Sequence, residues 1–235
     1  MLSPEFSKKV MDQGITFHPV VPFDKGYDRF KAIDLSPANK QLSVDLLKDI
    51  KAFEKYINHL LLQNKTRYGI GGYAELRNVY STSAVFDGTL PGDEPRRFHL
   101  GTDIWGKAST AVMCPLDGVV HSYAFNNAKG DYGATIILTH QIGDQTFYTL
   151  YGHLSLDSIK NLRQGQKINS GNVFAEFGIP AENGQWPPHL HFQIILEMNN
   201  REGDYPGVCK YSERENWLQN SPDPEIILQL RSYTI

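Results

Sequence analysis

From Ser43 to Gln63 the apolar residues Val44, Leu46, Leu47, Ile50, Phe53, Ile57, Leu60 and Leu61 recur at helical spacing. They predict one amphipathic helix whose apolar stripe packs on the rest of the chain. Ser43 is placed to cap it, and Asp45 sits favourably in the first turn. Ahead of the helix, Pro4, Gly14, Pro19, Pro22, Gly26 and Pro37 interrupt every candidate element, so residues 1–40 read as an irregular lead with a short edge strand at 18–24. Behind it, YGIGGY at 68–73 reads as a backbone turn and ELRNVYSTSAVF at 75–86 as a strand. The loop DGTLPGDEPRR at 87–97 follows.

Beyond residue 103 the pattern is short strands punctuated by turns. AVMCPL and GVVHSYAF across Asp117-Gly118 predict one hairpin, and ATIILTH and TFYTLYGHL across IGDQ a second. IKNLRQGQKINSGNVFAEFG repeats strand, turn, strand, with glycines at 165, 171 and 178. This organisation predicts a mainly β, antiparallel sandwich or barrel rather than alternating βα units. At the C-terminal end SERE at 212–215 reads as a capping box for a short helix, and another helix begins at Pro224. The chain divides on this reading into 1–74, a lead and helix packing on the core, 75–198, the β domain, and 199–235, a C-terminal extension.

The chemistry lies in three short patches, HLGTD at 99–103, YGHLS at 151–155 and HLH at 189–191, which hold four of the eight histidines. On a strand His189 and His191 point to one side, with Leu190 behind them. His99 and Asp103 share a face too, yet a fully extended strand would hold them roughly 13 Å apart. The chain therefore bends between them, and Gly101 is the permissive residue for that bend. Imidazole and carboxylate are both zinc ligands, and a catalytic zinc takes about three protein ligands with a further position open. His99, Asp103 and one histidine of the HLH pair make such a set. Trp186, Pro187 and Pro188 form a stiff lead that sets the height of His189. Arg77, Asn78 and Tyr80 are candidates for the border of the cleft, and Arg96 and Arg97 for holding a substrate carboxylate. His18 reads as a surface residue, and His59, His121 and His140 read as structural.

H-x-x-x-D, then Y-x-H-L-S, then H-x-H on a strand, in this order over residues 95–197, resembles the lysostaphin-type zinc metalloendopeptidases. The resemblance implies a two-sheet β core with the metal cleft on one sheet face. It implies one catalytic Zn2+ held by His99, Asp103 and His191, with His153 and His189 as the catalytic pair that moves protons and steadies charge. It implies cleavage of peptide bonds, with a peptidoglycan-derived peptide of the cell wall as partner. The sequence holds no HExxH, so histidine and not a helix glutamate is the expected base. The division of labour between His153 and His189 stays open.

Composition narrows the alternatives. A net charge of −3, from 26 acidic against 23 basic side chains, offers no basic field for nucleic acid. With 40% hydrophobic and 21% charged residues the chain is expected to be globular, without a membrane span. Cys114 and Cys209 lack a CxxC spacing and are expected to be reduced, one long-range bridge being the alternative. Residues 1–17 show no basic region followed by an apolar run, so a cytoplasmic location is the expectation, or an extracytoplasmic one if a signal has been removed. GDYPGV and NWLQNSPDP resemble the tail of peptidase-like modules in multidomain intracellular proteins, which implies association with further domains or proteins of a larger system. Two other functions compete: an intracellular zinc hydrolase of a small amide or short peptide, and a catalytically silent peptide-binding module.

Overall fold

Alternation of apolar and polar residues builds one large sheet, and the two faces of its central strand do different work. In the computed structural model, which describes residues 3–88, 90 and 92–235, twelve strands form. They are β1 Phe30–Ile33, β2 Tyr68–Gly71, β3 Arg96–His99, β4 Thr102–Trp105, β5 Ala111–Met113, β6 Gly118–Asn126, β7 Gly133–Ile142, β8 Gln145–Leu154, β9 Lys167–Ile168, β10 Val173–Glu176, β11 His189–Ile195 and β12 Val208–Lys210. The helices are α1 Ser3–Asp12, α2 Val44–Lys48, α3 Ile50–Gln63, α4 Asp157–Lys160, α5 Arg214–Asn220 and α6 Glu225–Leu228. Met1, Leu2, Thr89 and Pro91 lie outside the described residues, and with them part of the loop expected at 87–97.

The architecture is mainly β, as the strand and turn pattern predicts. Eight strands form the large sheet in the order β1-β2-β4-β11-β8-β7-β6-β9, and β5–β10 and β3–β12 form two small sheets. Along β11, Leu190, Phe192 and Ile194 enter a core with Ile136, Leu138, Phe147 and Tyr151 of the neighbouring strands and Val112 and Ala175 of a small sheet. The opposite face of β11 carries His189, His191 and Gln193, all buried. Cys114 and Cys209 are both buried and unbridged.

Several expected elements take another form, each for a local reason. The helix expected over 43–63 is two, because Asp49 closes α2 with its backbone N–H and opens α3 by accepting from the N–H groups of Lys51 and Ala52. Together they form the crossover that joins β1 to β2, the one parallel pair of strands among the described residues. YGIGGY is not a turn but supplies β2. A Cβ on Gly69 would lie 2.2 Å from Ile33 Cδ1, so the glycine serves close strand packing. The lead is not wholly irregular, since Pro4 stands in the first turn of α1, where its missing N–H costs nothing, and Phe6 and Val10 are buried. No strand forms at 18–24.

Residues 75–86 form 3-10 turns at Asn78–Thr82 and Ala84–Phe86, not a strand, with the Ser81 and Thr82 hydroxyls donating to carbonyls three residues back. The hairpin across Asp117-Gly118 does not close, because β5 pairs with β10 and β6 with β7. Nor does 159–178 pair with itself: β9 lies on β6, and β10 on β5. The β7–β8 hairpin forms as expected. α5 begins without a capping box, for Ser212 donates to Glu94 instead.

The β7–β8 hairpin buries His140, 2% exposed, with Nδ1 3.0 Å from the Asp117 carbonyl and the ring stacked on Phe147. Burial pushes its pKa from 6.5 down to about 4. Below pH 6.5 the unfolded chain takes up this proton before the folded one does, so stability falls as pH drops from 6.5 to about 4. The expected contribution is up to about 3 kcal/mol. Urea unfolding of the wild type and of His140→Gln at a series of pH values measures it, the difference curve flattening in the variant.

Candidate metal centre

Register brings the first two donors together. In the antiparallel pairing of β11 with β4, His191 stands opposite Asp103, and His189 opposite Trp105. His99 ends β3, which pairs with β12 in a small sheet, so the chain crosses from one sheet to the other through Leu100 and Gly101. That crossing is the bend the four-residue spacing requires. The reason for glycine differs from the expected one: Gly101 does not sit at positive φ. Its missing side chain makes room, because a Cβ there would lie 2.5 Å from His191 Cε1 and 2.6 Å from Nε2.

Three ligand atoms converge. His99 Nε2 lies 2.9 Å from His191 Nδ1, His191 Nδ1 lies 3.1 Å from Asp103 Oδ1, and His99 Nε2 lies 3.3 Å from the same oxygen. Among the described residues, His99, Asp103 and His191 are the cluster able to hold a metal ion, and all three are buried. Their outer hydrogen bonds decide where the protons are. His99 Nδ1 donates to the Gly72 carbonyl at 3.0 Å, which leaves Nε2 as a bare lone pair. Gln193 Nε2 donates to Pro206 O and Ser221 Oγ, so Gln193 Oε1 accepts from His191 Nε2 at 3.0 Å and leaves His191 Nδ1 bare. Two nitrogen lone pairs and a carboxylate oxygen thus face one another with no proton between them, an arrangement that a cation stabilises. Donors around a four-coordinate zinc stand about 3.4 Å apart, so the set fits such an ion.

Asp103 is 2% exposed. Burial works to raise its pKa, but the neighbouring His99 and the Arg77 guanidinium hold it well below the usual carboxylate range. Burial, then the Arg77 charge, pushes His99 down to about 4.

His153 and His189 stand beside the three donors with their rings 4.2 Å apart. His189 Nδ1 donates to the Pro187 carbonyl at 2.7 Å, and the ring lies against Trp105 at 4.0 Å, nearly parallel. His153 Nδ1 donates to the Asn183 carbonyl at 2.8 Å. Each keeps Nε2 free of a proton. His153 has φ +64, a left-handed conformation rare outside glycine, which re-aims the end of β8 into the cleft. Burial takes His189 to about 4, and burial with His189 and His191 alongside takes His153 well below its ordinary value.

All five expected residues line one cavity of about 330 Å³. Arg77, Tyr80 and Arg96 line it as well, whereas Asn78 is exposed and stands outside it. Arg97 pairs with Asp87 instead of facing the cleft. Gln193, Asn183, Glu75 and Tyr132 were not singled out by the sequence. Gln193 alone carried a signal, since it lies two residues beyond His191 on the same strand face. Tyr132, with its hydroxyl 3.4 Å from His191 Nε2, comes from a loop without periodicity.

Residues 97–203 match the model of peptidase family M23. This segment belongs to that family. The M23 segment is similar to parts of longer proteins. An L-Ala–D-Glu endopeptidase of Bacillus subtilis (strain 168) is 27% identical over 135 residues, covering 55% of this chain and 39% of that protein. A DD-carboxypeptidase/endopeptidase Mpg of Neisseria meningitidis serogroup B (strain ATCC 13091 / M2091) is 32% identical over 100 residues, 43% of this chain and 20% of that protein. The chain therefore spans less than half the length of either relative. Among solved structures, the catalytic domain of lysostaphin from Staphylococcus simulans aligns over 75% of this chain and 97% of its own, at 20% identity and a TM-score of 0.41. No helix among the described residues is long and apolar enough to cross a membrane.

A methyl group at Gly101 collides with the His191 ring and breaks the geometry that keeps Nδ1 bare. Gly101→Ala is expected to fold, judged by circular dichroism, and to lose about tenfold or more in divalent-metal affinity, measured by competition with a chromophoric chelator.

Proposed function

We propose that this chain is a zinc-dependent peptidase that hydrolyses peptide bonds in peptidoglycan-type peptides. The observation that carries this reading is the convergence of His99 Nε2, His191 Nδ1 and Asp103 Oδ1, with tautomers held by outer partners, beside two further imidazoles with unprotonated Nε2 atoms. Zinc bound there supplies Lewis acidity that lowers the pKa of water from 15.7 to about 7.

The residues divide the remaining work by position. His99, Asp103 and His191 hold the ion. His153 and His189 each present an Nε2 lone pair to the cavity, so either can accept a proton from water and return it to the leaving amine. The histidine that has taken a proton then carries an N–H at Nε2, and the buried setting strengthens any hydrogen bond it donates to a developing oxyanion. The backbone carbonyls of Pro187 and Asn183 fix both rings and favour their protonated forms during turnover. The relatives, an L-Ala–D-Glu endopeptidase and a DD-carboxypeptidase/endopeptidase, support the substrate class. The paired His153 and His189 favour catalysis over mere peptide binding, for a binding cleft needs no second pair of proton acceptors.

His153→Ala is expected to retain its zinc and to lose about 10² to 10⁴ in kcat on a muropeptide panel read by mass spectrometry. Asp103→Ala is expected to lose both metal and cleavage. Zinc-loaded wild type inert across that panel would count against the peptidase reading, and absence of metal uptake would sink the centre itself.

A further inference from the structure

Arg77 is among the largest fully buried side chains, 1% exposed, and it lies ahead of the segment that matches family M23. Its Nη1 donates to Asp103 Oδ2, and its Nε to Glu75 Oε2. Nη1 also reaches the Tyr80 hydroxyl at 3.3 Å, and Nη2 the Gly72 carbonyl at 3.4 Å. Glu75 is tied in turn, accepting at Oε1 from the Leu35 N–H at 3.1 Å. Gly72 and Arg77 thus come from one stretch, residues 72–77, and hold two of the three metal-binding side chains from behind.

The consequence lies in the two oxygens of Asp103. Oδ2 is engaged by Arg77, while Oδ1 faces the His99 and His191 nitrogens. The planar guanidinium is held by Glu75, Tyr80 and the Gly72 carbonyl, which fixes the direction of its one bond to Asp103 Oδ2 in a way that a freely turning ammonium does not. Glu75 cancels the charge of Arg77, so the pair orients Asp103 without setting a net positive charge against a cation. Gly71 leaves space for the arrangement, since a Cβ there would lie 2.9 Å from Arg77 Nη2.

We propose that Arg77, braced by Glu75, is a positioning residue that occupies one oxygen of Asp103 and reserves the other for the metal ion, making residues 72–77 part of the metal centre. This inference rests on the metal-binding reading above. It also explains how a carboxylate able to offer two oxygens presents one, which keeps coordination positions open for water and substrate.

The test uses the full chain with zinc and cobalt as probes. Zinc affinity is measured by chelator competition in the wild type, Arg77→Met, Arg77→Lys and Glu75→Ala, and folding is followed by thermal unfolding. Cobalt-loaded protein reports coordination number, because four-coordinate cobalt absorbs visible light several-fold more strongly than five- or six-coordinate cobalt. The expected result is a loss of about 10- to 100-fold in zinc affinity for R77M. Its cobalt bands are expected to weaken as the freed carboxylate chelates with both oxygens. R77K, which keeps the charge but not the fork, is expected to show the same spectral change, and E75A a smaller one. A wild type that takes up zinc while R77M matches it in affinity and spectrum overturns this inference alone. If R77M does not fold, wild-type values in R77K and E75A overturn it equally. A wild type that takes up no zinc overturns the metal-binding reading and this inference with it.

Discussion

The structure turns on keeping protons out of the space between His99, His191 and Asp103. Two imidazole nitrogens facing each other at 2.9 Å repel unless a proton or a cation lies between them, and the protons are drawn to the far side of each ring. The Gly72 carbonyl does this for His99 and the Gln193 amide oxygen for His191. These outer partners come from β11 itself and from the stretch after β2, so the centre exists only when distant parts of the chain are docked. A lone strand with H-x-H has neither tautomer fixed nor carboxylate aimed.

Burial sets the electrostatic tone of the cleft. His99, His153 and His189 are each 6% exposed or less, and removal from water disfavours their charged forms. Neutral imidazoles are what metal binding and proton acceptance both require. The apolar surroundings have a structural source in α3, whose Phe53, Ile57 and Leu61 pack with Leu35, Val79, Tyr80, Trp105 and Trp186. Trp105 then carries the cluster to the face of His189. The amphipathic helix far from the chemistry in sequence therefore stiffens the wall beside it.

Close approach is managed by glycines where a side chain would intrude. Gly101 lies against His191, Gly152 against the Tyr132 ring and Gly207 against the Tyr132 hydroxyl. At His153 the opposite choice is made, and a bulky residue takes a left-handed conformation. Such strain persists only where surrounding bonds over-determine it, here the His153 N–H to Tyr132 O and the Gly178 N–H to His153 O.

What the sequence alone determined was whatever depends on neighbours a few residues away: a mainly β chain, an apolar helical stripe after Ser43, the β7–β8 hairpin, and the shared face of His189 and His191. Even there, local signals misled where long-range contacts outweighed them. The glycines of YGIGGY mark close packing under Ile33, and the strand-like run at 75–86 bends into 3-10 turns beneath the cavity. Pairing of β5 with β10 across some sixty residues had no local signature, because the turn at Asp117-Gly118 permits a hairpin without requiring one. Tertiary structure alone decided the register that sets His191 opposite Asp103, the tautomers of the four imidazoles, and the burial of Arg77 behind the carboxylate. Periodicity reports which side of its own strand or helix a residue occupies, whereas hydrogen-bond partners are chosen by elements meeting in space, and that choice is written in no single stretch of the chain.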